Sequence, residues 1–233
     1  MQINGAVALV SGANRGLGEQ FVRALRDAGA AKVYAAARNP ASVTVPGAIP
    51  LSLDITDPES VRAAAEQAGD VTLLINNAGI STGAGLLDGE LSDFQREFDT
   101  HVFGTLAMSR AFAPVLAGNG GGAILNVLSV LSWFTSPGSA AYSAAKSAQW
   151  SLTNALRVAL ADQHTQVTAL HVGYMDTDMA ATITSPKSDP AKVAQLALEG
   201  VAAGRLEVLA DDTSRQVKAA LAADPSALYP VAG

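Results

Sequence analysis

Short, continuous apolar runs recur along the 233 residues, and each is followed by a turn and then by a stretch of helical periodicity. The first is Ala6-Val7-Ala8-Leu9-Val10, too short for a helix and apolar at every position. Such a run is expected of a strand buried on both faces, which is the environment of a parallel sheet. Similar strands are expected at Lys32–Ala37, Ile49–Leu53, Val71–Ile75, Ala123–Leu128, Gln166–His171 and Leu206–Leu209. Between them lie helical patterns: one through Phe21, Leu25 and Ala28 that stops at Gly29, one capped by Asp57-Pro58, and one over Ser92–Leu116. Others open near Tyr142, over Ala191–Ala203, and over Asp211–Ala222. Parallel strands need crossovers long enough to hold a helix, so the alternation predicts a doubly wound α/β fold. One domain over residues 1–233 is expected, with about seven strands and helices on both faces.

Composition narrows the function. Hydrophobic residues are 49% and charged ones 15%, which suits a packed domain rather than a disordered chain. A net charge of −6 disfavours nucleic acid and anionic membranes as partners. With no cysteine there is no thiol nucleophile or thiolate metal site, and the three His have no ligand spacing, so no metal is expected. No apolar run approaches the roughly 20 residues that span a bilayer, and a cytoplasmic location is the default expectation.

Ligands of doubly wound sheets bind at the carboxyl ends of the strands. Gly12, Arg38, Asp54, Asn77, Ser129 and Gly173 all fall at such ends. The first strand runs directly into Ser11-Gly12-Ala13-Asn14-Arg15-Gly16-Leu17-Gly18 and then a helix. Glycines allow a tight turn there, and the backbone N–H groups of the helix start can receive a phosphate. At the end of the second strand Ala37-Arg38 offers no carboxylate for a ribose hydroxyl, and Arg15 can reach the same corner. Two cations and no acid favour NADP(H) over NAD(H). Taken singly, each feature also reads as an ordinary turn or a solvated arginine.

After the Ala123–Leu128 run stands Ser129, and then a loop containing Ser136-Pro137-Gly138-Ser139 leads to Tyr142-Ser143-Ala144-Ala145-Lys146. Tyr142 and Lys146 are one helical turn apart and share a face. A hydroxyl, a phenol and an amine set close by one loop can form a proton-transfer site.

Together these motifs resemble the short-chain dehydrogenase/reductase family, a single-domain Rossmann-type fold. The glycine turn is similar to TGxxxGxG with Ser11 in the threonine position, Asn76-Asn77-Ala78-Gly79 to NNAG, Ser129 to the catalytic serine, and Tyr142 with Lys146 to YxxxK. The resemblance implies an NADPH-dependent reductase acting on a ketone or aldehyde, reversible as alcohol oxidation. Tyr142 would be the acid/base, Ser129 would hold the carbonyl oxygen, and Lys146 would lower the phenol pKa and bind the nicotinamide ribose. Cofactor contacts would come from Ser11, Gly12, Asn14, Arg15, Gly16, Leu17 and Gly18, from Arg38, and from Asp54 and Ile55 near the adenine. Asn77, Ala78 and Gly79 would lie along the cofactor, followed by Gly173, Met175 and Thr177, the last on the carboxamide. Homodimers or homotetramers are implied as well.

The chain departs from the family pattern in three places. His101 stands where an asparagine usually helps hold a water in the relay to the lysine, Val172 replaces a proline before Gly173, and the substrate-lid segment, about 177–190, is short. An open pocket bordered by Trp133, Phe134, Tyr174 and Met175 is expected, although each of these can be simple packing. Two other functions compete: NAD-linked alcohol oxidation, which Arg15 and Arg38 disfavour, and a cofactor-binding sensor weakened in catalysis by His101.

Overall fold

The computed structural model describes residues 1–229. Seven strands form one parallel sheet: β1 (Val7–Ser11), β2 (Lys32–Ala37), β3 (Ile49–Ser52), β4 (Leu73–Asn76), β5 (Gly122–Val127), β6 (Thr165–His171) and β7 (Glu207–Leu209). Their order across the sheet is β3-β2-β1-β4-β5-β6-β7, so the direction of winding reverses between β1 and β4. A crevice opens at such a reversal, beyond the strands' carboxyl ends. The expected α/β class, the doubly wound sheet and the strand count all hold.

The helices are α1 (Gly16–Asp27), α2 (Pro58–Gln67), α3 (Leu91–Phe98), α4 (Thr105–Gly118), α5 (Ala140–Ala159), α6 (Pro190–Ala202) and α7 (Asp212–Ala220). Successive strand residues point to opposite faces, so β1 feeds two cores. Ala8 and Val10 pack with Phe21 and Leu25 of α1 and Val193 and Leu198 of α6, whereas Leu9 packs with Met108, Phe112 and Leu116 of α4. The cap at α2 forms as expected: Asp57 accepts from the Glu59 N–H, with Pro58 in the first turn.

The long helix expected over Ser92–Leu116 is instead broken. A π-helical stretch, Asp99–Gly104, separates α3 from α4. A π turn holds an extra residue and so shifts the phase of all that follows. The apolar stripe Phe94, Phe98, Val102 and Leu106 is only half-buried, while Glu97, His101, Thr105 and Met108 face the interior. Polar side chains thereby enter the wall of the crevice.

Candidate active site

The glycine turn is braced from the next strand. Ser11 Oγ donates to the Ile75 carbonyl at 3.3 Å and accepts from the N–H groups of Asn77 and Ala78, both at 3.0 Å. Asn77 Nδ2 returns bonds to the carbonyls of Ser11 and Gly12, at 2.9 and 3.2 Å. Gly12 lies at φ +63°, and a Cβ there would stand 2.9 Å from Ala78 Cα, so this close approach admits only glycine. The side chains of Ser11 and Asn77, both expected at the cofactor, are thus spent on joining β1 to β4. Arg15 precedes α1 in extended conformation and makes no side-chain cap. The N–H groups of the first helical turn are left to an external acceptor, which fits an anionic group such as a dinucleotide phosphate.

Arg15 Nη1 lies 3.3 Å from Asp178 Oδ2, and both side chains are largely exposed. This pair links the turn to the segment that follows β6, and a Cβ on Gly16 would touch Thr177 at 3.4 Å. Arg38 is exposed at the end of β2. Burial opposes the charge of Asp54, but bonds from Thr56 and the nearby Arg38 outweigh it and hold the carboxyl below its ordinary pKa.

Ser129 caps a three-residue 3₁₀ turn, Val130–Ser132, beyond β5. Its Oγ accepts from the Leu131 N–H at 3.1 Å and reaches the Val172 carbonyl at 3.4 Å. Val172 N and side chain lie where the family carries proline, and its carbonyl also takes the Val130 N–H at 3.0 Å. Tyr142 is in the first turn of α5 and Lys146 one turn on, so strand, 3₁₀ turn and helix bring the three together. Lys146 is buried and donates from Nζ to the Val127 carbonyl (2.8 Å) and to Gln149 Oε1 (2.9 Å); Gln149 Nε2 then bonds Thr105 Oγ1 (2.8 Å). Burial lowers the Lys146 pKa to about 7, against the opposing pull of Glu97.

The net shift of the Tyr142 pKa is upward, opposite to the lowering expected from Lys146 together with an oxidised nicotinamide. Tyr142 is half-buried as a residue, but its hydroxyl end is interior, and burial pushes its pKa up. Glu97 adds to the rise and the Ser129 hydroxyl works against it. The Lys146 ammonium lies 5.5 Å from the ring centroid, and it donates to the Val127 carbonyl and to Gln149 Oε1 with two of its three hydrogens.

His101, fully buried in the π stretch, meets Tyr142 edge-on with ring centroids 5.2 Å apart. Its Nε2 lies 2.9 Å from the Ile80 carbonyl and 3.1 Å from Glu97 Oε2. Two acceptors at one nitrogen assign the hydrogen to Nε2. The carbonyl takes it, and Glu97 Oε2 and His101 Nδ1 are left without partners. Burial, then Lys146, lowers the His101 pKa, with Glu97 opposing, so the contact with Glu97 is between a neutral ring and a carboxylate. Glu97 Oε1 accepts from Thr82 N (2.7 Å) and Oγ1 (3.0 Å). Burial opposes its charge, but the polar Nε2–H edge of His101, 3.1 Å from Oε2, and the bonds from Thr82 hold its pKa below the ordinary value. Gly79 gives the ring room: a Cβ there would stand 2.7 Å from His101 Cε1.

Trp133, expected at the substrate pocket, is instead packed. Its ring stacks on His171 at 3.8 Å and takes Trp150 edge-on at 6.2 Å. Phe134 is half-buried, Tyr174 is 42% exposed, and Met175 packs against the β1–α1 core. The 177–190 segment folds back through Asp176 N to Ser188 O (3.0 Å) and Ser188 N to Tyr174 O (2.8 Å). Asp211 holds the base of this turn, accepting from Gly173 N at 2.6 Å and Ser214 N at 2.7 Å.

A family model described as short chain dehydrogenase matches residues 6–188. The chain belongs to the short-chain dehydrogenase/reductase family. Among curated proteins it is similar to carbonyl reductase (NADPH) 2 of Sus scrofa, 33% identical over 79% of this chain and 78% of that one. It is also similar to a 3-oxoacyl-acyl-carrier-protein reductase of Vibrio cholerae, 29% identical over 98% and 94%. A solved short-chain dehydrogenase of Burkholderia cenocepacia J2315, in complex with NADP, superposes with a TM-score of 0.94 at 39% identity, covering 99% of this chain and 98% of that one. Glu97, Thr82, Gln149 and Asp211 hydrogen-bond into the walls of the candidate site and are absent from the residues expected from the sequence. A glutamate four residues before His101 was the only available signal for any of them. Among the described residues no helix is long and apolar enough to cross a membrane, and no cluster of His, Asp and Glu could hold a metal ion.

Proposed function

We propose that this family member is an NADPH-dependent reductase of ketones or aldehydes, working in reverse as an alcohol dehydrogenase. The observation that carries the reading is the meeting of Ser129, Tyr142 and Lys146 at the ends of β5 and α5, beside the crevice between β1 and β4. Arg15 and Arg38, with no carboxylate at the end of β2, support NADP(H) rather than NAD(H). The NADP complex of the Burkholderia protein and the NADPH reductase of Sus scrofa agree with that choice.

When bound, the reduced nicotinamide supplies a hydride to the carbonyl carbon. Ser129 Oγ holds the carbonyl oxygen and donates to it as negative charge develops. Tyr142 gives its phenolic proton to that oxygen, and the raised pKa of the phenol keeps the proton in place until then. Protonated Lys146 stabilises the phenolate that remains, and the proton given up by Tyr142 is replaced from solvent before the next turnover. His101 and Glu97 close the wall behind Tyr142 and exclude bulk water from the relay. Phe134, Tyr174 and Met175 border the substrate.

A homodimer or homotetramer is part of the proposal, supported by the half-buried apolar stripe Phe94, Phe98, Val102 and Leu106; sedimentation of the pure protein tests it. The activity test is NADPH oxidation over a panel of ketones and aldehydes, followed by absorbance and repeated with NADH. Turnover that prefers NADPH and is lost in Tyr142→Phe is expected. Cofactor binding with no turnover on any carbonyl would leave a binding protein in place of an enzyme.

A further inference from the structure

A second buried histidine lies directly under Ser129. His171, the last residue of β6, has no exposed surface, and its Nδ1 is 3.2 Å from the Ser129 carbonyl oxygen. That oxygen can only accept, so Nδ1 must carry the hydrogen. The other nitrogen, Nε2, is an acceptor with no hydrogen-bond partner, and it faces Glu207 Oε1 at 3.8 Å. A buried lone pair facing a carboxylate is unfavourable, and a phenyl or leucyl group would fill the same place without it. What the imidazole contributes, and those side chains cannot, is the bond to Ser129.

The ring is held in position from several elements. Its face lies on Trp133 with an interplanar angle of 18°. Lys218 of α7 stands 4.7 Å over the Trp133 ring and 5.7 Å over that of Trp150. Glu207 of β7 binds Lys218 at 2.8 Å and accepts from Trp150 Nε1 at 3.4 Å. The charges facing His171 are therefore Glu207, Lys218 and, from α5, Arg157. On the other side the Ser129 carbonyl also accepts the Ser132 N–H at 3.0 Å, and the Val172 carbonyl takes Ser129 Oγ and Val130 N. Ser129 is thus gripped by two consecutive residues of one strand end, through a side chain and a carbonyl.

We propose that His171 is a positioning residue for Ser129, its Nδ1–H fixing the serine carbonyl, and with it the direction of Oγ, while the Trp133 stack fixes the imidazole. The proposal rests on the reading of Ser129 as the group that holds the substrate oxygen. Two variants separate the ring's parts. His171→Phe keeps a stacked ring and loses the donor; His171→Asn loses the stack but places an amide N–H near the position of Nδ1. In His171→Phe the Leu131 amide, which donates to Ser129 Oγ, should exchange with solvent faster than in the parent. Its kcat for carbonyl reduction should fall about five- to tenfold, the loss of one neutral hydrogen bond, with NADPH affinity by fluorescence titration unchanged. His171→Asn should recover part of both. Unchanged Leu131 exchange and kcat in His171→Phe, or no recovery in His171→Asn, would overturn the proposal. The parent protein gives an independent arm that needs no variant to fold: NMR of ¹⁵N-labelled histidine should find the His171 proton on Nδ1, and a proton on Nε2 sinks the idea. If the parent reduces no carbonyl, the reductase reading fails, while exchange at Leu131 and the imidazole tautomer still decide the role of His171.

Discussion

Glu97 offers the sharpest test of the site, because its removal should act in a direction opposite to simple damage. Glu97→Gln keeps the shape and the Oε1 acceptor for Thr82, but makes two charge-assisted bonds, at 2.7 and 3.0 Å, neutral ones. A bond to a charged group is worth roughly 1.5–3 kcal/mol and a neutral one roughly 0.5–1.5, so the two changes together cost about 2 kcal/mol. For a chain of this size that is a drop in Tm of about 4–8 °C. The electrostatic effect is separate. Glu97 raises the pKa of Tyr142 and that of Lys146, so loss of its charge should lower both. The assay is thermal unfolding together with the pH dependence of kcat for the alcohol-oxidising direction, in which the proposed mechanism has Tyr142 accept a proton. The expected result is a less stable protein whose rise of kcat with pH, set by deprotonation of Tyr142, moves to lower pH. An unchanged Tm, or a Tyr142 limb that stays or moves to higher pH, would show that the Glu97 carboxylate does not act on the site as argued.

Three further outcomes are expected. Ser11→Ala removes the group that ties β1 to Ile75, Asn77 and Ala78, and should cost about 2 kcal/mol in denaturant unfolding and weaken NADPH binding, although Ser11 is spent on the protein itself. Arg38→Asp places a carboxylate at the end of β2 and should shift the preference from NADPH toward NADH, read as the ratio of kcat/KM values. Acid stability should report His171, whose pKa is depressed to about 4 from 6.5 by burial. The unfolded chain then binds the extra proton first, so this stabilisation is complete above pH 6.5 and lost as pH falls toward 4, by about 3 kcal/mol. His171→Phe should flatten the parent's loss of stability between those pH values; an identical slope in both would assign it elsewhere.

The sequence made the frame legible because its signals are local. Val7–Val10, the turn at Gly12 and the start of α1 are one continuous stretch, and Tyr142 and Lys146 need only helical spacing to share a face. Seven strand ends could be located from apolar runs, and the winding followed from alternation. The parts that misled depend on partners distant in the chain. Trp133 follows Ser129 closely and is expected at the pocket, but it is stacked on His171 with Lys218 over its ring. The amide of Asn77, expected along the cofactor, also donates to the carbonyls of Ser11 and Gly12, more than sixty residues earlier, which no local pattern announces. One long helix is expected over Ser92–Leu116, with Phe94, Phe98, Val102 and Leu106 roughly on one side. The π stretch interrupts that helix, and no hydropathy pattern announces it, because the residues that face inward before and within it include Glu97 and His101.

That π turn makes length, as well as identity, a property of the site. A residue lost from the Gly118–Gly121 connection would shorten a surface turn. One lost between Asp99 and Gly104 would let the stretch close into ordinary α-helix and rotate one side against the other by about 100°. Glu97 would then leave Thr82, and the wall behind Tyr142 would open. Point substitutions can vary the chemistry of this wall one group at a time, but an insertion or deletion there changes which residues belong to it. Drift in this family member can therefore rewrite the letters of the segment more easily than its count.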